Sequence, residues 1–168
     1  SVVAPPIAGS TDFDNSPPGR FHDVAIHENR IVGIDPASRI TIKISEIANP
    51  EAFRLVDQLQ LEVPVNAIRS HAMGTMLYGE DRTFLMTGDG VSTPLRIDEV
   101  NNDLGCNGRR AAAEIRGLNV IVHESQVHLV AQPEDPWVLN IPILDKWRAL
   151  TQTDLADMIT IHDRSRMR

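Results

Sequence analysis

The amino-acid sequence predicts a single α/β or α+β core with a flexible N-terminal arm and a C-terminal tail. Runs with a two-residue apolar alternation, typical of half-buried strands, alternate with segments that carry helix-start and helix-stop residues. A chain of 168 residues, 42% of them apolar, has the length and composition to bury one core. Composition shifts divide the chain into an arm (1–20), a core (21–130) and a tail (131–168).

The arm is rich in proline, glycine and serine. Pro5-Pro6 and Pro17-Pro18 favour an extended backbone over a helix. No apolar period is sustained, so we expect a flexible or docked arm. A disordered terminus or a cloning remnant fits the composition equally well.

Two segments after the arm are predicted to be strands. Residues 23–35 contain two β-branched runs on either side of Glu28-Asn29, which indicates a hairpin whose turn lacks glycine. Residues 39–47 alternate, and Ile40, Ile42 and Ile44 fall on one face. This period of two predicts a half-buried strand.

A helix is predicted from residue 49 to Pro64. Asn49-Pro50-Glu51 supplies a capping side chain, a proline at the first helical position and an acid facing the helix dipole. The apolar residues that follow form one stripe at helical spacing: Ala52, Leu55, Val56 and Leu59.

The middle of the chain has a mixed pattern. Residues 63–78 are interpreted as a strand and then a helix, and residues 83–86 as a short strand before a glycine turn. Thr93-Pro94 predicts the start of a helix that runs to about residue 104. The alanine-rich segment 109–116 predicts a short helix stopped by the following glycine.

The structure of the last part of the core and of the tail is predicted from strand patterns and from a boundary between them. Residues 119–123 and 126–130 indicate a second hairpin. Two prolines and two acids in residues 131–136 then mark a boundary. Residues 137–144 are predicted to be extended and residues 145–168 to be helical.

Charge and hydropathy limit the classes of function. A net charge of −7 argues against a general nucleic-acid or anionic-membrane binder. However, Arg164, Arg166 and Arg168 form a small basic end that can contact a few phosphates. The sequence contains no apolar run near the ~20 residues that span a bilayer, and no signal-peptide pattern. We therefore expect a soluble, intracellular protein.

Motifs for catalysis are weak. Thr87-Gly88-Asp89-Gly90 matches a short sequence motif of cation-pumping ATPases. A turn that requires glycine is the better explanation of these residues. Neither a phosphate loop nor a nucleophile elbow is present in the sequence. The single cysteine, Cys106, excludes an internal disulfide, and its loop context indicates no catalytic role. No catalytic residue, metal ligand or cofactor is predicted.

The histidines leave one alternative open. His22 and His27 are five residues apart, as are His123 and His128, and residues five apart on one strand face opposite sides. Neither pair is therefore a natural chelate, although a hairpin bend changes that geometry. A small metal-dependent or hydrolytic enzyme remains the alternative, using several histidines with nearby acids: His22, His27, His71, His123 and His128.

Trp137 and Trp147, the only tryptophans, lie in the tail and indicate contact with partners. An acidic core, a break at 131–136 and a tail with these tryptophans and terminal arginines resemble the RNA-packaging accessory protein of segmented double-stranded-RNA bacteriophages. The resemblance is one of length and layout over the whole chain.

This resemblance implies a non-enzymatic component of the viral inner core. Such a protein assists procapsid assembly and RNA packaging, associates with itself, and contacts the shell protein, the polymerase or RNA. The sequence therefore predicts a binding and assembly protein in which Trp137 and Trp147 anchor partners, and Arg164, Arg166 and Arg168 add a weak, salt-sensitive RNA contact. An acidic inhibitor or immunity protein is a further alternative.

Overall fold

The computed structural model describes residues 13–14, 20–124 and 126–139 of the chain. Within these residues the protein is all-β, with thirteen strands in three antiparallel sheets and no helix. The predicted α/β or α+β fold is therefore wrong. The described part also contains no helix long and apolar enough to cross a membrane.

Each sheet is built mainly from strands that follow one another along the chain. The first sheet has the order β1-β5-β4-β3-β2: β1 (Phe13–Asp14), β5 (Asn49–Gln60), β4 (Thr41–Glu46), β3 (Arg30–Ile34) and β2 (Val24–His27). The second sheet runs β6-β7-β8-β9: β6 (Ala67–His71), β7 (Gly74–Tyr78), β8 (Thr83–Thr87) and β9 (Arg96–Asn101). The third sheet runs β10-β11-β12-β13: β10 (Ala112–Ile115), β11 (Leu118–His123), β12 (Gln126–Val130) and β13 (Trp137–Val138).

The second sheet contributes to both apolar cores of the protein. Alternate side chains of β6 to β8 join a cluster with the first sheet: Ile68, Leu77, Phe84 and Met86 meet Val32, Ile34, Ile42 and Ile44. The side chains between them join a cluster with the third sheet: Ala67, Met76, Tyr78 and Leu85 meet Ile121, Val122 and Val130. The second sheet is thus covered on both faces.

Burial on both faces explains why the sequence pattern of residues 63–78 predicts a helix that the structure does not contain. Met76, Leu77 and Tyr78 are consecutive and all fully buried. A strand buried on both faces shows a continuous apolar run without alternation, which the sequence alone cannot separate from a buried helix. The segment forms the β6–β7 hairpin, with no helix.

The helix predicted from residue 49 to Pro64 is strand β5. Its pairing with β4 jumps from Lys43↔Gln58 to Ser45↔Phe53, so several residues of β5 oppose one residue of β4. Such a bulge interrupts the two-residue period. The apolar residues of this segment are therefore spaced as they would be along one face of a helix.

The helices predicted at residues 93–104 and 109–116 are also wrong. Residues 93–104 form a loop and the edge strand β9. Residues 109–116 lead into β10, because pairing with β11 outweighs the helix propensity of the alanine run. Arg116 (φ 55°) and Gly117 (φ 80°) form the hairpin turn, so this glycine serves a turn and does not cap a helix.

The strand predictions that rest on alternation or β-branched runs are confirmed. These are the β2–β3 hairpin, β4, β8 and the β11–β12 hairpin. The β2–β3 turn forms without glycine, because Glu28 (φ 45°) and Asn29 (φ 61°) both adopt the left-handed conformation of a type I′ turn.

Short parts of the predicted arm and tail are described. In the arm, Phe13–Asp14 pairs with β5. In the tail, Trp137–Val138 pairs with β12, which confirms the extended prediction for these two residues. The helix predicted over 145–168 lies outside the described residues, and the boundaries at 20 and 130 stay predictions.

Candidate functional site

A cleft of about 280 Å³ lies where the β2–β3 turn, the β6–β7 turn and the end of β8 meet. We call it the β2–β6 cleft. Its described lining comprises Ile26, His27, Glu28, Ser70, His71, Ala72, Met73, Gly74, Thr75, Thr87 and Gly88. Two of the five histidines of the enzymatic alternative, His27 and His71, therefore come together here.

The His27 ring is buried and uses both of its nitrogens. Nε2 donates to the Gly88 carbonyl oxygen at 2.7 Å, and Nδ1 therefore accepts from the Thr75 hydroxyl at 3.0 Å. These two bonds join β2 to the second sheet. His27 has no free lone pair for a metal ion or for a substrate proton.

The His71 ring is bound in the same way. Nε2 donates to the Val130 carbonyl oxygen at 3.2 Å, and Nδ1 accepts from the Met73 amide at 3.2 Å. The Ser70 hydroxyl does not donate to either imidazole as a nucleophile would, because it donates to the Ile26 carbonyl oxygen at 3.1 Å. The cleft histidines thus hold the structure together and are not arranged as a base with a nucleophile.

The rim of the cleft combines apolar and acidic side chains. Ile26 is 68% exposed and Met73 is 51% exposed. Glu28, in the β2–β3 turn, is exposed beside them. Apolar side chains this exposed at the mouth of a cleft are typical of binding surfaces.

The other three histidines lie away from the cleft lining. His22 Nε2 donates to the Asn66 carbonyl oxygen at 3.2 Å. His123 and His128 share one face of the third sheet, because the pairing of Ile121 with His128 places His123 diagonally across the hairpin. Their ring centroids are 6.2 Å apart, so the β11–β12 hairpin places this pair on one face, which is the exception expected for a hairpin bend.

The described residues contain no group of three or more histidine, cysteine or acidic side chains that could hold a metal ion. Burial lowers the pKa of His22, His123 and His128 below the ordinary value of a histidine. Nδ1 of His128 is buried without a hydrogen-bond partner. The desolvated pair therefore resists protonation.

The lowered histidine pKa values predict acid sensitivity. A group whose folded pKa lies below its unfolded pKa binds protons first in the unfolded chain, so stability falls as the pH drops through about 6.5 and below. We expect His128→Phe to reduce the loss of unfolding free energy between about pH 7.5 and pH 5. Urea midpoints at both pH values measure this loss, and an unchanged loss in the variant would contradict the assignment.

Two further sequence candidates have structural roles. Cys106 is fully buried, its thiol donates to the Gly108 carbonyl oxygen at 3.1 Å, and burial raises its pKa to about 11. It is therefore a neutral thiol at pH 7. Asp89 accepts from the backbone amides of Val91, Ser92 and Thr93, which lowers its pKa and confirms the turn interpretation of this motif.

A second candidate surface is β13, which forms the outer edge of the third sheet among the strands that the structure describes. Trp137 is 61% exposed on β13, and Leu139, two residues on, is 47% exposed. The Leu139 amide donates to the Val127 carbonyl oxygen at 2.7 Å, so β13 is held to β12 on its inner side. The other predicted partner-binding residues lie outside the described range: Trp147, Arg164, Arg166 and Arg168.

Neither the models of known protein families nor the curated protein sequences contain a match to this chain. The candidate surfaces therefore rest on geometry. Sequence reasoning missed the rim residues Ile26 and Met73, because an apolar residue in a strand or a turn is normally read as core. Only their exposure in the folded structure separates them from core residues.

Proposed function

We propose that the protein is a non-enzymatic binding and assembly protein whose copies associate through the edge strand β13. The exposed Trp137 on this strand is the observation that carries the proposal. Tryptophan is enriched among residues that dominate binding energy, and edge strands present unpaired backbone groups to another chain. Leu139 extends the apolar surface beside it.

The β2–β6 cleft supports a binding role over the hydrolytic alternative. Both nitrogens of His27 and of His71 are bound, and the Ser70 hydroxyl donates to a backbone carbonyl. The Cys106 thiol is buried and neutral at pH 7. None of these four groups is free to act as a nucleophile or a general base.

The finer proposal is an accessory factor of a viral inner core that aids procapsid assembly and RNA packaging. In this proposal copies of the chain associate through Trp137 on β13, while Trp147 and the terminal arginines add a second contact to protein or RNA. Two linked contacts raise the effective concentration of each, so a weak second contact is sufficient.

Sedimentation velocity of the full chain over a range of concentrations tests self-association. We expect the wild-type chain to form dimers and Trp137→Ser to weaken the dimer roughly thirtyfold, which corresponds to about 2 kcal/mol for a dominant interface residue. Val91→Ser is the matched control, because Val91 is 73% exposed in the loop after β8. It should sediment as the wild type does.

Two results would overturn the proposal. One is a wild-type chain that stays monomeric at every concentration. The other is a Trp137→Ser variant that dimerises as strongly as the wild type, with a circular dichroism spectrum showing that both are folded.

A further inference from the structure

We propose that the β2–β6 cleft binds an arginine side chain presented by a partner polypeptide. This site is separate from the β13 edge and does not depend on self-association. The argument uses the size of the cleft, the hydrogen bonds already made by its lining, and the character of its rim.

The size of the cleft suits one long side chain. Its volume is about 280 Å³, just below the roughly 300–1,000 Å³ of pockets that enclose small molecules and cofactors. The cleft opens at the surface between two turns, where a polypeptide can insert a side chain without unfolding either turn.

The polar lining offers acceptors to a ligand. The hydroxyl hydrogen of Ser70 is committed to the Ile26 carbonyl oxygen, so the exposed Ser70 oxygen keeps a lone pair while its donor is used. The Thr75 hydroxyl is fully buried against Nδ1 of His27 and offers no acceptor to a ligand. A ligand rich in N–H donors therefore fits the Ser70 oxygen and the Glu28 carboxylate, and a guanidinium group carries five such donors.

The charge of the lining favours a cation. Glu28 is the one acidic residue among the described lining residues, and none of them is a lysine or an arginine. Arg96, which contacts Thr87 at 3.4 Å, is paired with Asp98 at 2.9 Å. The net charge of −7 adds a general attraction for cations.

The rim fits the aliphatic stem of an arginine. Ile26 and Met73 expose apolar surface at the mouth of the cleft. Long cationic side chains bury their methylene groups on apolar surface while the charged end seeks a carboxylate. Methionine adapts its shape to such a stem.

Titration of the full ¹⁵N-labelled chain with acetyl-Ala-Arg-Ala-amide tests the proposal. We expect NMR shifts at the amides of Gly74, Thr75 and Gly88, and much smaller shifts with the same peptide carrying uncharged citrulline. Glu28→Gln should weaken the affinity about fivefold, the upper range for one exposed charge pair. Glu62→Gln is the control, because Glu62 is exposed before the opposite end of β6.

Three results would overturn the arginine site: no shifts at the cleft amides, equal binding of the citrulline peptide, or unchanged affinity in Glu28→Gln. The same titration on Trp137→Ser keeps the two proposals distinguishable. Binding to that variant shows that the cleft works without self-association, whereas loss of binding there would contradict their independence.

Discussion

Replacing Leu77 with alanine is expected to lower the free energy of unfolding by about 2–5 kcal/mol. Leu77 is fully buried in β7, an inner strand of the sheet that is covered on both faces. Removing its side chain leaves a cavity that the flanking sheets cannot close without moving. Urea unfolding of the full chain, followed by circular dichroism, measures the change.

Val91→Ala is the control for this substitution. Val91 is an aliphatic residue that is 73% exposed, so its truncation should change stability by no more than about 0.5 kcal/mol. If Leu77→Ala cost no more than this control, the second sheet would not be a buried central layer.

Arg69→Met is expected to destabilise the fold by about 3–5 kcal/mol, because it leaves the Asp23 carboxylate without its cation. Asp23 lies just before β2, and its carboxylate accepts from the Arg69 guanidinium and from the Ile68 amide. The same guanidinium donates to the carbonyl oxygens of Ala112 at 2.9 Å and Arg109 at 2.8 Å. The half-buried Arg69 side chain of the second sheet thus contacts a residue next to the first sheet and a strand of the third sheet.

Arg82→Met provides the matched control for Arg69→Met. Arg82 pairs with Glu99 at 3.1 Å, but both side chains are exposed, at 37% and 41%. Exposed pairs contribute about 0–1 kcal/mol. Equal urea midpoints for the two variants would show that the Arg69 contacts add nothing beyond an ordinary surface pair.

Strands with one buried face could be predicted from the sequence. β4 shows this most clearly, since Ile42 and Ile44 are buried while Thr41 and Lys43 between them are half-buried. The prediction failed where tertiary structure removes the alternation. Both faces of β7 are buried, a bulge shifts the period of β5, and pairing with β11 holds the alanine run of β10 in a strand.

The site was less predictable than the strands. His27 and His71 were separate candidates in the sequence, and only the adjacency of the first and second sheets brings them to one cleft. Their hydrogen bonds, which decide what they can do, depend on Gly88 and Val130 far along the chain. The residue type of Trp137 predicts a contact with partners, and the structure adds that its side chain is exposed on β13.

Amide hydrogen exchange at increasing protein concentration tests association through β13 most directly. The Leu139 amide bonds to β12, so the Val138 amide points away from β12, toward the sheet edge that β13 forms among the described strands. We predict that exchange of Val138 slows as the concentration rises, while exchange along β9, the edge of the second sheet, stays constant. Exchange of Val138 that is independent of concentration, or protection that appears on β9 instead, would contradict assembly through β13.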